Sequence, residues 1–406
     1  MSLRPHRAAI GFILVTAVLD ILAMGLVMPV LPPLVQEFTG SNASAGVWNG
    51  VFVALWAGMQ FIASPVIGSL SDRYGRRPVI LLSVAGMAID WALMALAPSL
   101  WWLAVARMIG GVTSSSFTTV YAYMADITEP EHRARAYGLI GAAFSGGFML
   151  GPVIGGLLGE VSPRLPFWVA AGMSALAFLY GWLILPESLK PENRMAFSWR
   201  RANPFGALQL LRSHHDLMGL ATVNFLLFFA HHVFSAVYVL YAGQRYGWTP
   251  IQVGLCLALA GVLDMTVQGL MTGPVAKRLG DRNTMILGLV GGAVGILTMG
   301  LAPTSLLFVL TLFPNALWGL AMPTLQSLMT ARVSESEQGQ LQGANNCLSS
   351  IAGVASPLFF GWIYSLSVGK DAPIPYIGAA FVIAAGVLLS AAVIGWTSRS
   401  PSAAHS

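Results

Sequence analysis

Twelve apolar runs, each long enough to cross a lipid bilayer, constrain the fold of this 406-residue chain more than any other feature. A helix of about 20 apolar residues spans the roughly 30 Å hydrocarbon core of a membrane. The charged fraction is only 9%, whereas soluble domains carry about 25%. The sequence therefore predicts an all-α membrane protein with twelve transmembrane helices. The runs lie at about 8–30, 46–69, 79–97, 100–123, 136–159, 166–185, 217–240, 250–272, 284–301, 305–328, 341–365 and 375–396.

The distribution of Lys and Arg predicts the orientation of these helices, because basic residues are retained on the cytoplasmic side of a membrane. With both termini in the cytoplasm, seventeen of the 21 basic residues lie in cytoplasmic segments and three face outward. We therefore expect a multi-pass membrane protein with both termini cytoplasmic. The net charge of +5 then reflects topology, and we expect no nucleic-acid partner.

An internal repeat relates the two halves of the chain. Segments 68–77 and 273–282 share two glycines and two arginines at an offset of 205 positions. The same offset carries four further residues onto identical ones: Gly138 onto Gly343, Met124 onto Met329, Pro152 onto Pro357 and Gly156 onto Gly361. Duplication therefore predicts two pseudo-symmetric six-helix bundles.

The longest hydrophilic stretch divides the twelve runs six and six. We place an N-terminal six-helix bundle at 1–186, a cytoplasmic linker at 187–215 and a C-terminal six-helix bundle at 216–406. No loop contains the Gly-x-x-x-x-Gly-Lys-Ser/Thr sequence that cradles phosphate. Any work against a gradient would therefore have to be driven by an ion or by a second solute.

Four sequence blocks resemble motifs of one transporter family. Segment 68–77 resembles a cytoplasmic gating motif between the second and third helices, and 103–111, which contains Arg107, resembles a fourth-helix motif linked to proton transfer. Segment 147–156 resembles an antiporter signature, and 20–32 resembles the first helix of tetracycline exporters. The chain thus resembles the major facilitator superfamily over nearly its whole length, and within it the drug:proton antiporters of the tetracycline-efflux type.

This resemblance implies a proton-coupled antiporter that exports amphipathic drugs, first of all tetracycline-like compounds, by alternating access. It also implies a location in a bacterial-type cytoplasmic (inner) membrane, with the proton as the coupling ion and a divalent metal only as part of a chelated substrate. The sequence shows no nucleophile-base constellation and no cofactor motif, so we expect neither enzyme activity nor a cofactor. The expected partners are a small-molecule drug and the lipid bilayer, and the protein is expected to work as a monomer. The alternatives are a facilitator of an endogenous metabolite and a non-transporting membrane receptor or assembly protein.

Four residues that are charged at neutral pH lie inside predicted spans: Asp20, Asp90, Arg107 and Asp264. Such residues are costly in a membrane, and their default explanation is function or pairing. At about 1.5 Å per residue, the first three occupy a similar depth, so Arg107 can pair with either Asp20 or Asp90. We predict that these three couple transport to the proton. The alternative is a permanently buried ion pair that fixes the register of the helices.

The repeat makes these charges asymmetric. Shifted by 205 positions, they fall on uncharged residues: Asp20 on Phe225, Asp90 on Gly295 and Arg107 on Leu312. We therefore expect the N-terminal half to carry most of the proton coupling.

Polar groups in the spans are predicted to bind the substrate. Asp264 can attract a cationic or metal-chelated substrate, and Gln268 lies one helical turn away on the same face. Asp264 and Gly292 also depart from well-known tetracycline exporters, which carry histidine and aspartate there. No resident metal site is expected. The remaining candidates are side chains that could instead hydrogen-bond helices together: Gln60, Asn224, His231 and Gln326.

A cytoplasmic gate is predicted from the first copy of the repeated loop. The resemblance implies that Asp72 meets the end of the eleventh helix, while Arg76 meets Asp126 at the end of the fourth. The alternative is that these charges serve topology alone. The predicted gate residues are Gly68, Asp72, Arg73, Gly75, Arg76, Arg77 and Asp126.

The antiporter motif places small residues at helical spacing, which favours close packing against another helix. Packing without control of transport direction is the alternative interpretation. The motif residues are Gly147, Gly151, Pro152, Gly155 and Gly156.

Overall fold

The computed structural model describes residues 4–128, 133–199, 203–214, 217–334, 337–369 and 372–398. These residues form helices and connecting turns and contain no strand. Backbone groups inside a bilayer must be satisfied within the protein, and helices do this with their own hydrogen bonds. An all-helical structure therefore follows directly from the twelve apolar runs.

In the described ranges, the first half of the chain forms eight α-helices. Two of them, α5 and α6, are separated by a short 3₁₀ turn at Ser114–Ser116. The helices are α1 Arg4–Val27, α2 Leu31–Thr39, α3 Asn42–Tyr74, α4 Arg76–Leu96, α5 Leu100–Thr113, α6 Phe117–Ile127, α7 Arg133–Val161 and α8 Leu165–Ile184.

The second half begins after a segment with a 3₁₀ turn at Pro191–Asn193. A π-helical turn, Val267–Met271, follows α12. The helices are α9 Gln209–Ser213, α10 Met218–His231, α11 Val233–Tyr246, α12 Pro250–Thr266, α13 Thr272–Leu279, α14 Asp281–Leu301, α15 Ser305–Leu310, α16 Leu312–Ala316, α17 Ala321–Thr330, α18 Gln338–Ser367 and α19 Ala379–Thr397.

Helical stretches in the described ranges correspond to the twelve predicted spans. Ten are long and apolar enough to cross a membrane, and two shorter apolar helices, Leu100–Thr113 and Gly146–Val161, lie where the fourth and fifth spans are expected. Several short helices continue one another within a span. For example, α10 and α11 together form the stretch Met218–Tyr246.

The chain divides into two compact units. Unit 1 contains Met1–Phe38, Leu55–Pro204 and Trp248–Ala258, and unit 2 contains Thr39–Ala54, Phe205–Gly247 and Leu259–Ser406. Thus the first part of α3 belongs to unit 2, and the first part of α12 belongs to unit 1. The boundaries of the bundles at 1–186 and 216–406 and of the linker at 187–215 stay a prediction.

Each unit has its own apolar interior. In unit 1, Ile80 and Val84 of α4 pack with Tyr123 and Met124 of α6, and all four are buried. In unit 2, Tyr241 packs against Phe308 and Phe381, with ring centroids 5.9 Å and 4.9 Å apart. Such interiors hold the polar side chains described below at defined positions.

Candidate functional site

A buried ion pair joins α4 and α5. Nη2 of Arg107 donates to Oδ2 of Asp90 at 2.8 Å. The two residues are only 7% and 1% exposed, respectively. Arg107 also contacts Sδ of Met94, and its guanidinium lies 5.0 Å from the ring centroid of Trp91. This is one of the two pairings that the sequence left open.

The pair is incompletely satisfied. Within the described part of the chain, Oδ1 of Asp90 and Nε of Arg107 are buried without a hydrogen-bond partner. A charged group with unused hydrogen-bonding capacity in a buried place is costly. Asp20 lies in α1, but its side chain lies outside the described residues. Its place in the proton site therefore stays a prediction.

Gly110 makes room for the carboxylate of Asp90. A Cβ at this position would lie 2.9 Å from Cγ of Asp90 and would overlap Oδ2. Any larger residue would thus displace the oxygen that accepts from Arg107. The sequence reasoning missed Gly110, although the motif at 103–111 places it next to Gly111.

The second half reverses this arrangement. Gly295 occupies the position of Asp90 shifted by 205, and Asn315 occupies that of Gly110. A Cβ at Gly295 would lie 2.5 Å from Cβ of Asn315, so these two residues are also in close contact. The polar side chain and the glycine have therefore exchanged helices. Comparing both Asp90 and Gly110 with the residues 205 positions further on would have revealed this exchange from the sequence.

Asp264 and Gln268 form the polar cluster of unit 2. Nε2 of Gln268 donates to Oδ2 of Asp264 at 2.7 Å, and both side chains are exposed. The predicted sharing of one helix face is therefore present. Gln268 lies in the π-helical turn after α12, and such turns often occur at functional sites.

Two residues that sequence reasoning missed border this cluster. A Cβ at Gly319 would lie 2.7 Å from Oδ1 of Asp264 and 3.0 Å from Cγ of Gln268. The neighbouring Trp318 packs edge-on against His231, with centroids 5.5 Å apart. The cluster thus offers a carboxylate, an amide, an imidazole and an aromatic ring.

The other predicted substrate residues bond to neighbouring helices. Nδ2 of Asn224 donates to the backbone oxygen of Asn345 at 3.4 Å, and Nδ2 of Asn345 donates to Oε1 of Gln326 at 3.3 Å. In α3, Nε2 of Gln60 donates to Oγ of Ser114 at 3.4 Å. These are the helix-joining contacts named above as the alternative. Substrate contact by Gln60, Asn224 and Gln326 stays a prediction.

The gate residues converge on Arg76. Its Nε lies 3.3 Å from Oδ2 of Asp126, and its Nη1 lies 2.6 Å from Oδ1 of Asp72. Nη1 also donates to Oγ of Ser71 at 2.6 Å. The contact between Arg76 and Asp126 that the resemblance implies is thus present. The contact of Asp72 with the end of the eleventh helix stays a prediction.

The remaining gate residues have separate surroundings. The guanidinium of Arg73 lies 5.1 Å from the ring centroid of Tyr74, and a Cβ at Gly68 would meet open space. Nη2 of Arg77 donates to the backbone oxygen of Trp182 at 2.8 Å. Gly75 has φ of 107°, a conformation that favours glycine.

The second loop keeps part of this pattern. Arg282, the counterpart of Arg77, donates to backbone oxygens of Gly395 and Trp396 at the end of α19. Asp281, the counterpart of Arg76, accepts from Oγ of Ser327 at 2.5 Å. A hydrogen bond to a hydroxyl therefore stands where the first loop has ion pairs.

The antiporter motif is a packing surface of α7 within unit 1. A Cβ at Gly151 would lie 2.6 Å from Cα of Gly25, and one at Gly155 would lie 2.7 Å from Cα of Leu26. Gly147 approaches Ile21 in the same way. These small residues let the backbones of α1 and α7 meet closely.

The other side of the motif packs against the start of α12. A Cβ at Gly156 would lie 2.6 Å from the backbone oxygen of Pro250, and one at Gly254 would lie 2.8 Å from the carbonyl carbon of Pro152. The motif therefore contacts two helices at once.

A helical membrane protein with a repeated six-span plan and a buried charge pair belongs to the class of secondary transporters. The profile of the Major Facilitator Superfamily matches residues 13–272 and 220–406. The chain belongs to this superfamily, which confirms the predicted fold class, and it is a transporter rather than an enzyme.

Known proteins agree with this placement. Tetracycline resistance protein, class C, of Escherichia coli is 38% identical, covering 94% of each chain. The class G protein of Vibrio anguillarum is 36% identical over 86% of this chain and 89% of its own. A solved bacterial homolog of the human lysosomal transporter Spinster has a TM-score of 0.80 and 17% identity, covering 99% of this chain and 100% of its own. That structure supports the fold.

Proposed function

We propose that this protein is a proton-coupled antiporter of a bacterial-type inner membrane that exports amphipathic drugs, with tetracycline-like compounds as the main substrate. It works as a monomer with both termini in the cytoplasm. The observation that carries the proposal is the buried, incompletely satisfied pair of Arg107 and Asp90. The names of the relatives support the substrate, and the antiporter motif supports export.

The ion pair supplies the coupling. Breaking a buried pair leaves an uncompensated charge at a cost of several kcal/mol. A movement that separates Asp90 from Arg107 therefore requires the carboxylate to take up a proton, and renewed pairing releases it. Oδ1 of Asp90, which lacks a partner among the described residues, is the oxygen that accepts the proton. Asp20 serves as a second carboxylate of the same site.

The cluster around Asp264 binds the drug. A carboxylate attracts a cationic drug or the metal ion of a chelated one, and Gln268 holds that carboxylate in place through the 2.7 Å hydrogen bond. The exposed ring of His231, which packs against the buried Trp318, supplies a flat surface for an amphipathic molecule. Gln60, Asn224 and Gln326 offer further hydrogen bonds. A divalent metal enters only with the drug.

The cytoplasmic contacts act as a gate. Arg76 holds two acidic residues on different helices, Asp72 and Asp126, and release of these contacts accompanies opening to the cytoplasm. The glycine surface of α7 keeps the packing against α1 and α12 close during this movement.

The decisive experiment measures drug susceptibility in an efflux-deficient bacterial host. Expression should raise resistance to tetracyclines, and a protonophore should abolish the gain. In proteoliposomes, an imposed pH gradient should drive tetracycline transport by the wild type and not by Asp90→Asn. Resistance that survives the protonophore, or full proton exchange by Asp90→Asn, contradicts the proposal. Transport of an endogenous metabolite without drug transport would favour the facilitator alternative.

A further inference from the structure

The start of the linker makes an unexpected set of contacts with the gate loop. Helix α4 begins at Arg76, and the residue before it, Gly75, has no side chain that could cap the helix. The first backbone N–H groups of a helix lack acceptors inside the helix. Here Oε1 of Glu187 accepts from the N–H of Arg76 at 2.8 Å, and Oε2 accepts from that of Arg77 at 3.3 Å.

Gly75 admits this carboxylate. A Cβ at Gly75 would lie 2.7 Å from Cδ of Glu187. The glycine therefore provides both the backbone conformation of the turn and the space for the cap. A carboxylate at a helix N-terminus is also favoured by the helix dipole.

The same segment contacts the acidic gate residues. Oγ of Ser188 donates to Oδ2 of Asp126 at 2.9 Å, the oxygen that Nε of Arg76 also approaches. The N–H of Met195 donates to the backbone oxygen of Asp72 at 3.0 Å. We call residues 186–195 the linker strap.

The strap is itself anchored. Tyr123 of α6 donates its hydroxyl to the backbone oxygen of Pro186 at 2.9 Å, and Leu189 is buried. Oε1 of Glu187 also accepts from the backbone N–H groups of Ser188 and Leu189 at 3.0 Å. One carboxylate therefore orders both the strap and the first turn of α4.

Among the described residues, no side chain lies against the glycine of the second loop as Glu187 lies against Gly75. A Cβ at Gly280, the counterpart of Gly75, would meet nothing within 4 Å. The strap is thus an asymmetric addition to the first gate loop.

We propose that Glu187 is a positioning residue of the cytoplasmic gate. Its carboxylate holds the first turn of α4 and, through Ser188, aligns Arg76 with Asp126. The inference rests on the proposed function, because it assigns this geometry to the transport cycle. Loss of the carboxylate should therefore loosen the turn and slow transport without changing the drug site.

The first measurement is hydrogen exchange of the full-length protein in nanodiscs, followed by mass spectrometry. In Glu187→Ala, peptides that contain the amides of Arg76 and Arg77 should exchange about fivefold faster, the size expected for a lost cap. Glu187→Gln keeps one acceptor oxygen, so the exchange rate of these peptides should lie between the rates of the wild type and of Glu187→Ala. Glu192→Ala, at an exposed position of the same strap, is the matched control. Unchanged exchange in Glu187→Ala overturns the inference.

The second measurement is drug transport in proteoliposomes. Glu187→Ala should lower the maximal transport rate about fivefold at unchanged KM. The double variant Glu187→Ala/Asp126→Asn should be no slower than Glu187→Ala alone. A changed KM, or additive losses, overturns the positioning role. If wild-type protein exchanges no drug for protons, the proposed function fails and the gate assignment fails with it. The exchange experiment still decides whether Glu187 holds the turn.

Discussion

Gly110 of α5 lies so close to Asp90 of α4 that a Cβ at position 110 would overlap the carboxylate oxygen that binds Arg107. The absence of one side chain thus sets the geometry of the buried ion pair. The repeat places Asn315 and Gly295 in the corresponding close contact, without a charge. A close approach between a glycine and a polar residue is common to both halves, whereas the ionisable group belongs to the first.

Gly110→Ala should destabilise the protein and abolish most proton-driven transport. In an open helical position, this change stabilises by about 0.5 to 1 kcal/mol, but overpacking here should cost about 1 to 3 kcal/mol. Gly146→Ala is the matched control, since a Cβ there meets nothing within 4 Å. Thermal unfolding and pH-driven tetracycline transport measure both effects. Equal behaviour of the two variants would refute the close contact.

Removing one partner of the buried pair should cost more stability than removing both. Asp90→Asn leaves the guanidinium of Arg107 without its countercharge, at a cost of about 3 to 5 kcal/mol. The double variant Asp90→Asn/Arg107→Gln should recover much of the thermal stability and still lack proton-driven transport. Coupled exchange by the double variant would show that the pair has only a structural role.

Gly319→Ala should weaken drug binding while leaving the proton site intact. The new methyl group would press against Oδ1 of Asp264 and Cγ of Gln268, so KM for tetracycline should rise about tenfold, the effect of about 1.4 kcal/mol. The maximal rate should stay close to that of the wild type. Gly386→Ala in α19 is the control, because a Cβ there meets nothing within 4 Å. An unchanged KM would exclude the Asp264 cluster from drug binding.

The two repeated loops should respond unequally to loss of their polar partners. Asp126→Asn removes an ion-pair partner of Arg76, whereas Ser327→Ala removes a single hydroxyl partner of Asp281. We expect the first change to reduce the transport rate several-fold more than the second, because it removes an opposite charge from beside Arg76, whereas the second removes only a neutral hydroxyl from beside Asp281. High salt should narrow the difference because it screens exposed ion pairs. Equal losses would argue against a principal gate in the first loop.

Local patterns in the sequence predicted the spans and the position of Gln268 on the same helix face as Asp264. A bilayer imposes the length and polarity of each span, and two residues four apart on one helix must share a face. The orientation of the spans was predicted in the same way from loop charge. By contrast, the position of a residue along its helix gives only its depth in the membrane, and not the neighbouring helix that it faces. It could not distinguish Asp20 from Asp90 as the partner of Arg107, since helix rotation and lateral position are set by packing.

The sequence by itself determined the twelve spans, the duplication and the asymmetric placement of charge, because these follow from membrane hydrophobicity and from comparison along one chain. Only the tertiary structure decided that Asp90 meets Arg107, that Gly110 and Gly319 make room for carboxylates, and that Glu187 caps a helix 111 positions before it in the chain. These contacts join different helices, so their distances depend on the packing of whole elements and have no signature in local spacing.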